Sequence, residues 1–258
     1  MKLFSKLLFV PLIILFLFTV SSTVLADAKS DYEYQYSQYR QNYIEYTILK
    51  KDFWENPTLD NQQKAILASK QTLKARDLAK GSFAAYLLSL CQEKQTNYAP
   101  IKPSLDALNS AKTFYLSEAD KSQSIVTSAD LLAYSKSYAE NTIVHDRSLR
   151  SGVVACKISQ LVRFQIESKN ALDIILPKLS TPFSNALSTR INDLQTQGNK
   201  INETINTFTT KLYSEEITDN IDNDSYFTTN SETIKKIQTL QIKWIDSLID
   251  IDLNYAHS

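Results

Sequence analysis

A chain of 258 residues with 28 basic and 28 acidic side chains carries no net charge. That balance leaves no electrostatic footprint for nucleic acid or for an anionic membrane surface. Only three glycines occur, Gly81, Gly152 and Gly198, against the roughly 7% of average usage, which excludes folds built on many tight turns or phosphate loops, where glycine supplies positive φ.

Lys2 and Lys6 introduce an almost wholly apolar run, Leu7 to Val20, followed by small and polar residues that end in Val24-Leu25-Ala26. This is the pattern of an export signal, and it predicts cleavage after Ala26. The run is shorter than the roughly 20 residues of a membrane span and contains Pro11, so retention as a membrane anchor is the lesser reading. Residues 27–258 then make a single helical-bundle domain, with a larger N-terminal part over 27–176 and a C-terminal helix pair over 183–255.

The segment Tyr32 to Tyr46 holds six of the fourteen tyrosines. Tyr32, Tyr36, Tyr39, Tyr43 and Tyr46 are spaced by three and four residues, and Phe53 keeps the register; only Tyr34 stands outside it. That is a helical stripe with polar residues between, and it predicts a helix over about 30–54, ended by Asn56-Pro57. Thr58 can cap a second helix, about 59–96, with Ile66, Leu73, Phe83, Leu87 and Leu90 on one side. Thr96 to Pro103 reads as a turn. A shorter helix over about 104–118 follows, with Leu105, Leu108, Ala111 and Tyr115 inward, and then a polar loop, 117–127.

From Ser128 to about Leu176 a helical pattern runs as one helix or two. Its second half, GVVACKISQLVRFQI, is apolar on several sides and predicts a central helix, with Gly152 marking a kink or a close contact. After Pro177 and Pro182 comes the narrowest stripe in the chain: Leu187, Ile191, Leu194, Gly198, Ile201, Ile205, Phe208 and Leu212. Alternating steps of four and three make it a coiled-coil seam that can pair within the chain or with another copy. A last helix, about 230–254, answers it with Ile234, Ile237, Gln241, Trp244, Leu248 and Ile251. The fold class expected is all-α, an elongated antiparallel bundle of five or six long helices with coiled-coil-like packing.

The string YSQYRQNYIEY, followed by a long helix, resembles the opening of a group of uncharacterised, predicted-exported, all-helical bacterial proteins. The likeness covers the first two helices, and it implies the compartment and the fold, with no activity to transfer.

Chemistry-bearing motifs are few. His145 and His257 are the only histidines; His257 is penultimate, and His145 shares a stripe with Tyr138 and Leu149, the position of a core-edge or groove residue rather than a catalytic base with oriented partners. No G-x-S-x-G, phosphate loop or zinc-ligand spacing occurs. Asn220, Asp222 and Asp224 start a calcium-loop pattern, which then fails at Ser225 and Ser231, where glycine and a bidentate glutamate belong. Asp246 and Asp250 share one helix face with Asp252 nearby, an arrangement of solvated charges rather than of two carboxyls across a cleft. No catalytic residue, cofactor or metal is therefore expected. In an exported chain Cys91 and Cys156 can form one disulfide; two buried thiols are the other reading.

The five tyrosines admit three readings: a packed seam with hydroxyls at its rim, an exposed stripe that receives a partner, or a small-ligand platform. The leading functional expectation is a non-enzymatic extracytoplasmic interaction or structural protein of the bacterial envelope. It would use an unknown protein partner or a second copy through helical seams, without nucleic acid, and would meet membrane only if the N-terminal segment is retained. The alternative is a sensor-type bundle binding a small ligand near Tyr36, Tyr43 or His145. A hydrolase of envelope polymers ranks last.

Overall fold

The computed structural model describes residues 23–92, 101–179, 184–214 and 223–255. Among them the secondary structure is wholly helical: α1 (Thr23–Glu55), α2 (Leu59–Gln92), α3 (Lys102–Lys121), α4 (Ser128–Ile175), α5 (Asn185–Ser214) and α6 (Asn223–Tyr255), with short 3-10 turns at Ser122–Ser124 and Leu176–Lys178. The helices pack against one another as an all-α bundle. Among the described residues no helix is long and apolar enough to cross a membrane. The apolar run and all but the end of the export-signal pattern, like His257, lie outside the described residues.

The helix starts follow local chemistry. Thr58 caps α2, its Oγ1 accepting from the Asn61 N–H at 3.2 Å, which satisfies one of the orphan donors of a first turn. Thr127, one residue ahead of the expected start, caps α4: the Asp130 N–H donates to Thr127 Oγ1 at 3.1 Å, and the Thr127 N–H donates back to the Asp130 carboxylate at 2.8 Å. The Thr127 N–H, then the Thr127 hydroxyl and the Val126 N–H, by bonding the Asp130 carboxylate hold it below the usual carboxylate range. Several boundaries differ from expectation, among them the start of α1 at Thr23 rather than about 30. Pro103 stands inside the first turn of α3, where a missing N–H costs nothing. The expected loop from 117 is helical to Lys121, because Glu118, Ala119 and Ser122 face inward and are buried.

The chain divides into two compact units, residues 1–93 with 112–134 and residues 94–111 with 135–258. The division runs through α3 and α4 and not at the Pro177–Pro182 bracket, which separates helices of one unit.

In the first unit α1 and α2 form an antiparallel hairpin, with Tyr32 against Phe83 and Tyr86 at one end and the Thr72 hydroxyl donating to the Asn42 carbonyl at 2.9 Å near the middle. The large residues expected to carry the α2 core, Ile66, Leu73, Phe83 and Leu90, are only half-buried. Of the expected set only Leu87 is buried, with Leu88 beside it; most of what α2 buries is small: Ala68, Ser69, Thr72, Ala75, Ala79, Ser82 and Ala84. Small side chains let neighbouring helices approach closely, so α2 is buried on several sides without a broad apolar stripe.

In the second unit the core is assembled from α4, α5 and α6, with Val154, Ile158 and Leu161 of α4 meeting the α5 and α6 seams. Every position of the Leu187–Leu212 stripe is buried, and so are Ile237, Gln241, Trp244, Leu248 and Ile251 opposite. This stripe therefore pairs within its own chain. Burial of each Leu or Ile side chain contributes about 1.5–3 kcal/mol, enough to hold α5 and α6 together despite their polar outer faces. The α6 helix begins at Asn223, ahead of the expected start.

α4 is one 48-residue helix. Gly152 does not break it; it serves a close contact. A Cβ at this position would lie 2.5 Å from Leu108 Cδ2 and 2.8 Å from its Cγ, and Leu108 is fully buried. Gly152→Ala should therefore destabilise the protein by up to about 2 kcal/mol, as overpacking at about 1–3 kcal/mol is set against the roughly 1 kcal/mol of helix propensity gained. At Gly81 the new Cβ would meet the Leu116 side chain less closely, Cδ2 at 3.1 Å and Cγ at 3.3 Å, and Leu116 is 39% exposed and can give way; Gly81→Ala should be neutral or stabilising. Urea unfolding of the two variants side by side measures the difference, and equal effects would refute the packing role of Gly152.

Candidate interaction face on the first helix

The helix α1 has no buried side chain over residues 27–55, although it packs along α2. Its inner side carries Gln35, Gln38, Asn42, Leu49 and Phe53, all half-buried. The tyrosine stripe runs beside that contact. Successive ring centroids are 6.0 Å (Tyr32–Tyr36), 6.4 Å (Tyr36–Tyr39), 6.1 Å (Tyr39–Tyr43) and 6.4 Å (Tyr43–Tyr46) apart, all tilted. Such spacing is what three- and four-residue steps on a helix produce, and tilted rings at these distances attract. Tyr32 anchors the ladder, its ring 5.0 Å from Phe83 and nearly parallel to Tyr86 at 6.2 Å. Burial, and then the neighbouring Tyr36 and Glu33, raise the Tyr32 phenol above the usual tyrosine value.

The five predicted residues thus fall into two groups. Tyr32, Tyr39 and Tyr46 are half-buried, Tyr32 against Phe83 and Tyr86 of α2, whereas Tyr36 and Tyr43 are 46% and 51% exposed. Further round the same outer side, Ile44 (58%), Ile48 (56%) and Trp54 (70%) are also exposed. Lys50 stands over the rings of Tyr46 and Trp54 at 5.6 and 4.6 Å. Single exposed apolar residues need no explanation; here five of them, interspersed with Arg40 and Lys51, fall on one helix. The sequence stripe identified the tyrosines; Ile44, Ile48 and Trp54 lie off it and were missed.

The remaining candidates do not converge on this face. His145 is half-buried in the second unit, and burial lowers its imidazole below the usual histidine value against an opposing effect of Asp146; Tyr36 and Tyr43 belong to the first unit. Asn220 and Asp222 lie outside the described residues, and from Asn223 onward the chain is helical, through Ser225 and Ser231. Among the described residues no group of three His, Cys, Asp or Glu is placed to hold a metal ion. Two of the C-terminal carboxylates are not simply solvated: Asp250 pairs with Arg190 of α5 and accepts from Asn254 at 2.7 Å, and Asp252 is buried. Cys91 and Cys156 are both buried, and neither is a free thiol.

Two features have no counterpart in the motifs. A groove of about 540 Å³ lies between the C-terminal half of α5 and the start of α6, with Phe208, Leu212 and Tyr226 at its floor and Thr204, Thr207 and Thr229 at its walls. The other is a buried charged cluster in the first unit. The Arg76 guanidinium donates to both oxygens of Asp77, at 2.8 and 3.0 Å, and the Tyr134 hydroxyl donates to Asp77 Oδ2 at 2.9 Å. Burial, and then the Asp77 charge, push the Tyr134 phenol far above its usual value, against the pull of Arg76. A phenol held protonated in this way is a fixed hydrogen-bond donor, so the cluster is built to hold helices together rather than to transfer protons.

Comparison with known protein families, with curated proteins and with solved structures finds no match to this chain.

Proposed function

We propose that this protein is a non-enzymatic extracytoplasmic interaction module of the bacterial envelope, and that the outer side of α1 is its docking face. The observation that carries the reading is the contrast between helices. α5 and α6 bury their apolar stripes inside the chain, whereas α1 buries nothing fully and leaves Tyr36, Tyr43, Ile44, Ile48 and Trp54 in solvent. The placement outside the cytoplasm rests on the Lys2-to-Ala26 export pattern and on the resemblance of the first two helices to predicted-exported proteins.

A photo-crosslinking amino acid placed at Tyr36 or Tyr43 tests this. In intact cells both positions should give protein adducts well above those from exposed Glu140 on α4, in the extracytoplasmic fraction and on a chain that begins at Asp27. Adducts no stronger than those at Glu140 would refute the reading.

The second reading, a small-ligand-binding bundle, draws on the α5–α6 groove, whose volume falls in the range of ligand sites. Its lining differs from the Tyr36, Tyr43 and His145 set that the sequence suggested.

A further inference from the structure

We propose that α1 pairs with α1 of a second copy of this chain, antiparallel, about a twofold axis passing between Arg40 and Ile44. The inference rests on the reading of α1 as an interaction face and names the occupant of that face.

The argument begins with charges that α1's own stability does not explain. Lys29 and Glu33 form an ion pair at 3.5 Å, and Lys51 and Glu55 form one at 3.6 Å. In both, lysine precedes glutamate, the less favourable order on a helix. Glu55 also sits in the last turn, where a carboxylate opposes the helix dipole. An antiparallel partner accounts for both placements. Lys29 lies as far before position 42 as Glu55 lies after it, and Glu33 as far before as Lys51 lies after. A twofold axis at position 42 therefore sets Lys29 against Glu55 of the second copy and Glu33 against Lys51, each pair formed twice, as an isologous contact requires. Opposite charges then meet at both ends of the interface, and the two helix dipoles oppose.

The apolar residues obey the same symmetry. Tyr36 and Ile48 are equidistant from position 42, so each comes level with the other of the second copy, on the two flanks of the interface. Arg40 faces Ile44, where its guanidinium can lie against the partner's Tyr43 ring. The axis must emerge on the side of α1 away from α2. It does: the Asn42 side chain is half-buried, and its carbonyl accepts from Thr72 of α2, whereas Arg40 and Ile44, two residues to either side, point the opposite way and are exposed.

The size of the face fixes the strength. A strip from Lys29 to Glu55 is about 39 Å long at 1.5 Å per residue and about 10 Å wide. It buries roughly 800 Å² in all, below the roughly 1,200 Å² of stable complexes. The pairing is thus weak and reversible, with a Kd on the order of tens to hundreds of micromolar, and salt weakens it through the charged ends.

Sedimentation equilibrium of the purified protein, from low micromolar to about 1 mM, should show a monomer–dimer equilibrium in that range. Ile44→Glu, at an exposed position that leaves the fold intact by circular dichroism, should weaken it at least tenfold. Lys51→Glu alone should weaken it by roughly tenfold, since two exposed pairs become repulsive. The double variant E33K/K51E should return it to within about threefold of the parent, because the swapped charges face each other again. A parallel pairing would leave K51E without effect, since like faces like before and after. A monomer at every concentration, or a K51E defect that E33K fails to rescue, overturns the proposal. Monomeric sedimentation together with cellular adducts at Tyr36 to a different protein would overturn self-pairing and leave the interaction reading standing.

Discussion

Asp77→Ala should cost about 3–5 kcal/mol of stability, the loss expected when one partner of a buried ion pair is removed. Asp77 is fully buried, and both of its oxygens are engaged by Arg76 while Oδ2 also accepts from Tyr134. Adjacent residues on a helix do not face each other, so the Arg76 contact exists because its long stem folds back toward Asp77. Removing the carboxylate takes two hydrogen bonds from a guanidinium three-quarters shielded from water and the shorter one from the Tyr134 phenol. Tyr134→Phe removes the hydroxyl that reaches Asp77 and, at 3.4 Å, the Glu118 carbonyl, while leaving the Arg76–Asp77 pair in place, and should cost about 1 kcal/mol. Asp77→Asn keeps the volume but replaces one acceptor oxygen with a donor, and should fall between the two. Urea unfolding followed by far-UV circular dichroism gives all three values. An Asp77→Ala cost near that of Tyr134→Phe would mean that the cluster contributes no more than one ordinary hydrogen bond.

This cluster also marks where reading from sequence fails. A single aspartate in KARDLAKGSF looks like a solvated charge, because its partner Tyr134 is 57 residues away and no local pattern links them. The small buried residues of α2 are hidden for a related reason: Ala, Ser and Thr give no stripe when scored by hydrophobicity, so the half-buried leucines and Phe83 drew attention instead. Where burial is carried by large residues at regular spacing, the pattern is legible. Every position of the Leu187–Leu212 stripe is buried, and of its answer in α6 all but the half-buried Ile234. Caps were legible to within one position, because Thr58 and Thr127 act on N–H groups three residues away.

For the candidate face the sequence supplied the tyrosine spacing but not its surroundings. A stripe of three- and four-residue steps looks the same whether it is packed or exposed; only the position of α2 shows that Tyr32, Tyr39 and Tyr46 are half-buried while Tyr36 and Tyr43 are exposed. The charge symmetry about position 42 was present in the letters, but it acquires meaning only once Asn42 is seen to face α2. The outer side is then the side that a second helix would meet under the proposed pairing.

Trp244→Ala should cost a further large amount, about 3–5 kcal/mol, as a buried aromatic truncated in a packed core. Trp244 is almost fully buried, and its indole N–H donates to the Leu194 carbonyl on α5 at 2.7 Å. The contact explains the one anomaly of the α5 seam, a glycine at a heptad position held elsewhere by Leu, Ile or Phe. A Cβ on Gly198 would stand 3.1 Å from the indole nitrogen and 3.7 Å from Gln165 Nε2, so the missing side chain makes room for the ring. Nearby, Gln241 donates to the Leu161 carbonyl of α4 at 2.8 Å, so the polar groups of this layer are bonded across three helices. Trp244→Phe keeps most of the ring and loses the hydrogen bond, and should cost about 1–2 kcal/mol. Gly198→Leu, which would restore the regular seam, should destabilise by about 1–3 kcal/mol in the parent. In Trp244→Ala it should recover part of the loss by filling the cavity. That sign reversal, measured by a double-mutant cycle, is the outcome a merely tolerant glycine would not give.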